Sequence, residues 1–477
     1  KFDVGKIDRA RFFDHITHQR PSAGGLDGIS PTDLSLISPK ASNLLVDMLD
    51  IIEEGGDWPF QMQHAKAAFL AKDPLHLDDC LKYRILLIMP SLYRGWASFR
   101  QQDLGPWTRQ WQCKEMFAGV GNVGAEDAWW LTSLALEEAH LGNEDVSGGM
   151  ADVFKCFDQI LRELLQELLE VGGMPDRVLK PYLRYIQHLR LYNDVAGSIG
   201  QPYGLPCGIP QGCPLSMLYV AFLFRPWIIM MREFQANPRV LADDIMLFTR
   251  GAQHEQQFKA AFDATHEYIE DLGAQLAPEK STTFSTNRVT RKKLRTHIWS
   301  KTGTKIKVIQ NARDLGSHLS TTNVMSGSTL TDRINSAIET VNRIRFTPFS
   351  YKTKAHLIRA AGIPKALYGC ESTPACDHAV QRLRTAIARA IAPVAAHNSI
   401  DMIFATSSHG RDLDPMVHIL VRRATMLRRM TAKHVHALPV VHNVMQKYKT
   451  AGHVGLDIEA ARRGKAKVAP PPGKARQ

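Results

Sequence analysis

Three carboxylates on two separate segments are the side chains whose type and placement most directly suggest chemistry. Asp152 closes the run Met150-Ala151-Asp152, and Asp243-Asp244 interrupts the apolar stretch from Val240 to Phe248. A two-residue turn inside that stretch would set the acidic pair at the tip of a hairpin. Buried carboxylates need either cationic side chains or a bound divalent metal. Taken alone, Asp243-Asp244 is most simply a solvated turn. With Asp152 added, the set is what two-metal phosphoryl transfer requires, namely two hard cations about 4 Å apart that activate an attacking oxygen and stabilise a leaving pyrophosphate. Lys72 and Arg84 sit at the edges of strand-like runs and could neutralise a triphosphate. Gln211 and Gly212 lie in the proline- and glycine-punctuated loop from Tyr203 to Ser216. There the backbone can approach a ligand closely and Gln211 can hydrogen-bond it.

These groups need a scaffold, and the apolar pattern supplies one. Residues 67–72 and 83–88 read as a two-stranded ribbon presenting Lys72 and Arg84. Residues 150–157 read as a strand as far as Phe157, followed by an amphipathic helix with Ile160, Leu161, Leu164, Leu165, Leu168 and Leu169 on one face. Gly172-Gly173-Met174-Pro175 stops that helix. Helices are also expected over 93–111, with Arg94, Arg100 and Arg109, over 217–231 and over 257–272, and a short strand over 305–309. From Leu330 the pattern is helical, with Ile334, Ala337, Ile338, Val341 and Ile344 on one face and Arg333, Arg343 and Arg345 off it. Residues 461–477 form a basic, proline-rich tail expected to be disordered. Gly119-Val120-Gly121-Asn122-Val123-Gly124 formally matches a dinucleotide fingerprint. No buried strand precedes it and no βαβ unit surrounds it, so that reading is rejected.

Composition narrows the partners. The 477 residues are 44% hydrophobic and 22% charged, ordinary for a globular chain. The excess of 59 Lys+Arg over 47 Asp+Glu, a net charge of +12, favours a polyanionic partner. Seven cysteines form no C-x-x-C pair, which argues against a zinc knuckle or a disulfide framework and for a reduced, intracellular setting. Cys207 and Cys213 read as small packing residues, and His434, His436 and His442, without cysteine partners, as surface residues. No apolar run reaches membrane-spanning length, so no membrane role is expected. The chain starts at Lys1 without a methionine and is expected to be a fragment.

Five segments in order and spacing resemble the successive palm motifs of reverse transcriptases. They are Asp152 to Asp158, Gly208-Ile209-Pro210-Gln211-Gly212-Cys213-Pro214-Leu215-Ser216, Leu241-Ala242-Asp243-Asp244, Gly273 to Lys280, and Leu315-Gly316. Ile363-Pro364-Lys365-Ala366-Leu367-Tyr368-Gly369 resembles the region beyond the palm in non-LTR (LINE-type) retrotransposon polymerases, and the likeness spans about residues 69–371. The resemblance implies an α+β right-hand fold: an N-terminal extension at 1–60, fingers and an antiparallel-sheet palm at 61–329, a helical thumb at 330–400, and a helical region at 401–460 before the tail. It implies an RNA-directed DNA polymerase that takes an RNA template, a DNA primer and dNTPs and works in the nucleus with two Mg²⁺ ions, Mn²⁺ being an alternative. Asp152, Asp243 and Asp244 would hold the metals, and Gln211 would touch the incoming nucleotide. Arg84 would contact the triphosphate, and Lys280 would donate a proton to pyrophosphate. Leu241 stands where an aromatic residue is usual, and Ile85 where the family has proline after the arginine. No endonuclease module is evident, so target nicking falls to a missing part of the element or to another protein.

The same resemblance bears on sugar choice. Right-hand RNA polymerases resemble one another in an aspartate five residues after the first palm aspartate, where it accepts a bond from the ribose 2′-OH. Here that position is Phe157, with Asp158 on the opposite face if the strand continues. A ring there selects dNTPs. The alternatives are an RNA-dependent RNA polymerase and a decayed element that only binds RNA.

Overall fold

The fold is built on two mixed sheets. The computed structural model describes residues 2–72, 78–79, 82–321, 327–392, 399–407 and 409–450, and the tail at 461–477 lies outside them. In the first sheet, β1 (His64–Ala71) pairs antiparallel with β2 (Tyr83–Ile88). The second sheet carries the acidic segments. Its strands are β3 (Val146–Asp152), β7 (Asn237–Leu241), β8 (Asp244–Arg250), β9 (Thr282–Ser285) and β10 (Lys307–Ile309), in the order β10-β9-β3-β8-β7. The first sheet is completed by β4 (Arg190–Val195), which runs parallel to β1, and by the short β5 (Ser198–Ile199) and β6 (Tyr203–Gly204), which pair with β4. The expected antiparallel arrangement holds for β3, β7, β8 and β9, and β10 is added parallel to β9.

Period-two alternation sends β8 to two cores. Met246 and Phe248 pack with Phe284, Leu136, Ile309 and Leu319 on one face of the sheet. Ile245 and Leu247 face Phe258 and Phe262 of the helix His254–Asp271 on the other. The centre of β3 is Gly148-Gly149 because both faces are occupied. A Cβ on Gly148 would meet the Phe284 ring at 2.5 Å, and one on Gly149 the Phe262 ring at 2.8 Å. The larger core also takes in Val4, Phe12, Ile16, Leu49 and Trp58, so residues before 60 pack into the same interior.

A separate helical core begins at Leu330. Helix Ser328–Arg345 packs on helix Asp377–Ile391 through Ile334, Ala337, Val341, Leu383 and Ile387. The hairpin of β11 (Asn311–Asp314) and β12 (Ser317–Ser320) precedes this helix and touches it, and Leu319 of the hairpin packs with Phe284 and Ile309 of the second sheet. Helices Pro415–Lys433 and Leu438–Thr450 return over helix Ala125–Leu141, where Met426, Met430, Val441 and Val444 meet Trp129, Trp130 and Leu134. His434 is therefore not a surface residue. It is buried, with Nε2 2.7 Å from the carboxylate of Asp127.

Other expectations shift locally. The strand over 150–157 ends at Asp152, and residues Cys156–Gln159 form a helical turn entered through Lys155 at φ 43°. Phe157 is thus not on a strand, and the alternation that set it opposite Asp158 does not apply. The apolar spacing of Val153, Phe154 and Phe157 does not reveal the left-handed residue that reverses the chain. The helix over 217–231 is two, Ser216–Leu223 and Arg225–Glu233, divided at Phe224 where Pro226 starts a new first turn. Cys213 is buried, as a packing residue should be, but Cys207 is exposed. Among the described residues no helix is long and apolar enough to cross a membrane.

Candidate active site

Strand register brings the two acidic segments together. Asp152, the last residue of β3, is the cross-strand partner of Asp244, the first residue of β8. Between β7 and β8 lies a two-residue turn, Ala242-Asp243, with Ala242 at φ 57°. Asp243 is therefore the exposed tip, and Asp244 belongs to the strand. Burial pushes the Asp152 carboxyl above the ordinary range, Lys280 opposes that rise, and Asp243 adds to it. Burial likewise pushes Asp244 up to about 6, against the pull of Arg239 and with the help of Asp314, Asp243 and Asp152. The Asp244 side chain keeps 40% of its surface open, so it stays within reach of a ligand. These are carboxylates crowded at one edge of the sheet.

The loop after helix His254–Asp271 clasps the end of β3. Ala277 N–H donates to the Asp152 carbonyl at 2.9 Å, and Asp152 N–H donates to Ser281 Oγ at 3.1 Å. That fixes Lys280, whose Nζ is 3.7 Å from Asp152 Oδ2 and 5.7 Å from the centre of the Phe154 ring.

The glycine-punctuated loop docks on the turn that follows β3. Ile209 N–H donates to the Phe157 carbonyl at 2.8 Å, and Gln211 Nε2 donates to Asp158 Oδ1 at 3.4 Å. The Gln211 carbonyl accepts from Leu87 N–H of β2 at 2.8 Å, tying the loop to the ribbon. Gly212, at φ 123°, has room for no side chain, since a Cβ would sit 2.4 Å from the Leu87 carbonyl. Phe157 is half-buried against the large core. Arg84 lies on β2 opposite Leu70, and Lys72 follows β1 with its N–H on the Lys82 carbonyl; both side chains are exposed. Among the described residues no hydrogen bond or ion pair joins Lys72 or Arg84 to the three carboxylates.

The pairing of Arg239 with Asp314 is not among the sequence expectations. Arg239 on β7 is buried, donates to both oxygens of Asp314 at 2.6 and 2.7 Å, and stands 3.6 Å from Asp244 Oδ1. A cation inside the apolar run Pro238-Arg239-Val240-Leu241 is the signal that could have found it, because such a cation requires a buried partner.

The donor set fits a divalent cation. It offers carboxylate oxygens only, and two of the three groups are raised by burial and mutual repulsion, leaving negative charge that a hard cation would offset. Among the described residues no three metal-ligating side chains already converge on one point.

Residues 72–312, just over half of the chain, match the family model described as reverse transcriptase (RNA-dependent DNA polymerase). No curated protein matches the chain. Among solved structures, it is similar to apo telomerase from Candida tropicalis truncated from the C-terminal domain, at 11% identity and TM-score 0.38, covering 60% of this chain and 59% of that one. It is also similar to Candida tropicalis telomerase in complex with a TWJ fragment of telomeric RNA, at 11% identity and TM-score 0.38, covering 79% and 70%. A third is Candida albicans telomerase with such a fragment, at 12% identity and TM-score 0.37, covering 79% and 68%. The chain thus spans less than two thirds of the first of these.

Proposed function

The chain belongs to the reverse transcriptase (RNA-dependent DNA polymerase) family, and from that membership we propose that it is the polymerase of a non-LTR retrotransposon. It extends a DNA primer 3′-OH with dNTPs on an RNA template in the nucleus, with target nicking supplied by another module. The observation that carries this reading is the register pairing of Asp152 with Asp244, with Asp243 in the adjoining turn. Two segments far apart in sequence thereby place three carboxylates at one edge of one sheet.

In this reading Asp152, Asp243 and Asp244 hold two Mg²⁺ ions, for which Mn²⁺ can substitute. When bound, such ions activate the primer hydroxyl and stabilise the departing pyrophosphate. The chain's own groups do the rest. Arg84 and Lys72 take the triphosphate charge, a role their exposure on the ribbon permits. Gln211, steadied by Leu87 N–H and bonded to Asp158, positions the nucleotide, and Gly212 lets the loop lie against the Leu87 carbonyl so that Gln211 is held there. Phe157 closes the space under the sugar. Lys280, beside Asp152, gives a proton to the pyrophosphate oxygen. Residues 61–329 act as fingers and palm and residues 330–400 as thumb.

Primer extension on an RNA template, run separately with dNTPs and with NTPs, tests the proposal. Extension with dNTPs alone is expected. Preference for NTPs would make it an RNA polymerase, and RNA binding without extension would make it a decayed element.

A further inference from the structure

The turn joining helix Ser328–Arg345 to helix Tyr351–Leu357 carries three large aromatic side chains in the open. Phe346 is 78% exposed, Phe349 49% and Tyr351 53%. By contrast Trp96, Trp107, Trp129, Trp130, Trp227 and Trp299 are all buried. Rings clustered in water within six residues forgo burial energy and mark a contact surface.

The turn is held in shape. Lys354 Nζ donates to the Arg345 carbonyl at 2.7 Å, joining its two ends, and Ser350 Oγ caps the second helix by accepting from Thr353 N–H at 3.2 Å. Cations attend the rings, with Arg345 5.2 Å from the centre of the Phe346 ring and Lys354 5.9 Å from that of Tyr351. From Thr340 to Cys370 the sequence contains no Asp or Glu, and Arg343, Arg345, Lys352 and Lys354 flank the rings; farther on, Arg359 is paired with Asp412 at 3.5 Å and Lys365 is bonded to Ser336 and Thr340. At the other end of the first helix, Arg333 donates to the Gly316 carbonyl of the β11–β12 turn. The rings therefore stand about 20 Å along the helix from that hairpin.

An apolar protein face would satisfy the rings and leave the cations unmatched. A fully paired duplex would satisfy the cations but offers its bases edge-on and already stacked. An unpaired strand presents both phosphates and open base faces. We propose that the Phe346-to-Tyr351 turn is a stacking platform for an unpaired stretch of nucleic acid strand. It rests on the nucleic-acid-binding part of the polymerase reading and not on the chemistry of the carboxylates.

The test uses the full chain. Binding is measured by fluorescence anisotropy with a single-stranded oligoribonucleotide of about 12 nucleotides and with a blunt duplex, and extension is measured on a pre-annealed RNA–DNA template-primer. The triple variant Phe346→Ala/Phe349→Ala/Tyr351→Ala should bind the single strand about 10- to 100-fold more weakly, while duplex binding and extension stay within about twofold of wild type. The single variant Phe346→Trp supplies a direct signature, in which the single strand quenches its added indole fluorescence and the duplex does not. Unchanged single-strand affinity in the triple variant overturns the platform, as does an equal loss for both ligands. Loss of binding to phosphatidylserine vesicles in place of the single strand would make the turn a membrane contact and likewise overturn it. If wild type binds the single strand through these rings yet extends no primer, the platform stands and the polymerase reading falls; extension without ring-dependent binding is the reverse.

Discussion

The core of the palm sheet and the turn between helices Ser328–Arg345 and Tyr351–Leu357 both carry charge, and they use it in opposite ways; farther along the helical unit, Arg384 and Asp414 repeat the palm's usage as a buried pair. In the palm, Arg239 and Asp314 keep 4% and 3% of their side-chain surface, and each charge has a named partner. In the helical unit Arg343, Lys352 and Arg359 are exposed. A buried charge is an instrument of position, because leaving it unpaired is costly. An exposed cation positions little and is free to meet a polyanion. Arg333 shows that sequence spacing alone does not sort the two kinds. It lies on the same helix as Arg343, yet its guanidinium stacks 4.9 Å from the centre of the Tyr368 ring and bonds the Gly316 carbonyl. It belongs with the positioning charges.

The sharpest break between the regions should come from Asp243→Asn. Primer extension is expected to fall by about a thousandfold or more, because a neutral amide holds a metal poorly. RNA binding should remain within about twofold, since phosphate contacts supply it. Steady-state extension and anisotropy on the same preparation check both halves. Extension near the wild-type rate would remove the aspartate from the site.

Next in size is the buried pair. Arg239→Met leaves Asp314 alone in the interior and is expected to cost about 3–5 kcal/mol, read as a lower urea midpoint, while Asp314→Asn, which leaves Arg239 with Asp244 3.6 Å away, should cost less. The double variant Arg239→Met/Asp314→Leu should recover much of that loss, because the penalty lies in the stranded charge. If each single variant unfolds like wild type, the pair is not what holds the β11–β12 hairpin against β7.

The sequence made some of this legible and hid the rest for definable reasons. Asp152, Asp243 and Asp244 stood out because charge interrupting an apolar strand run violates the local pattern. The Tyr83–Ile88 strand and its pairing with residues 67–71 followed from composition and edge cations. The end of β3 was misplaced because Lys155 adopts a left-handed conformation that a lysine rarely takes, so nothing in its type announces the turn. The Arg239–Asp314 pair joins residues 75 positions apart, and periodicity carries no information on such a contact. His434 looked exposed among neighbouring histidines. Only its docking on Asp127 of a distant helix, 307 positions away, shows otherwise.

A pH effect should also come from the palm side. His266 is buried beside Phe262 and Trp299, and burial lowers its pKa from 6.5 to about 4, against a small opposing pull from Asp263. The folded state therefore holds this histidine neutral while the unfolded chain protonates it below about 6.5. Its contribution is present in full above that pH and is lost as pH falls from about 6.5 toward 4, by up to about 3 kcal/mol. Denaturant midpoints across that range should drop for wild type and drop less for His266→Phe. Equal slopes would mean that other groups govern acid stability.

Smaller still is sugar discrimination. Phe157 sits in a helical turn whose carbonyl is fixed by Ile209 N–H, so its ring is held by packing rather than by strand alternation. With the ring under the sugar, a 2′-OH would clash or lose its hydrogen bonds, giving roughly a hundredfold preference for dNTPs. Phe157→Val should relax that preference and keep DNA synthesis. Unchanged selectivity in single-nucleotide incorporation assays would make the ring a packing residue.

The smallest expected effect tests the helical side of the comparison. Replacing Arg343 and Lys352 by Gln removes two exposed cations without touching a buried partner, so thermal stability should hold. Each phosphate left without its cation should make the logarithmic salt dependence of template-duplex binding shallower by about 0.7 to 0.9, and products made per binding event should shorten. Arg359, 3.5 Å from Asp412, should contribute less because part of its charge is already matched. Arg333→Gln is the control that gives the comparison its edge. That arginine is half-buried on Tyr368, so its replacement should lower the unfolding midpoint and leave the salt dependence as it was. If Arg333→Gln instead flattened the salt dependence and the exposed pair did not, position along the helix rather than burial would decide which cations meet the nucleic acid.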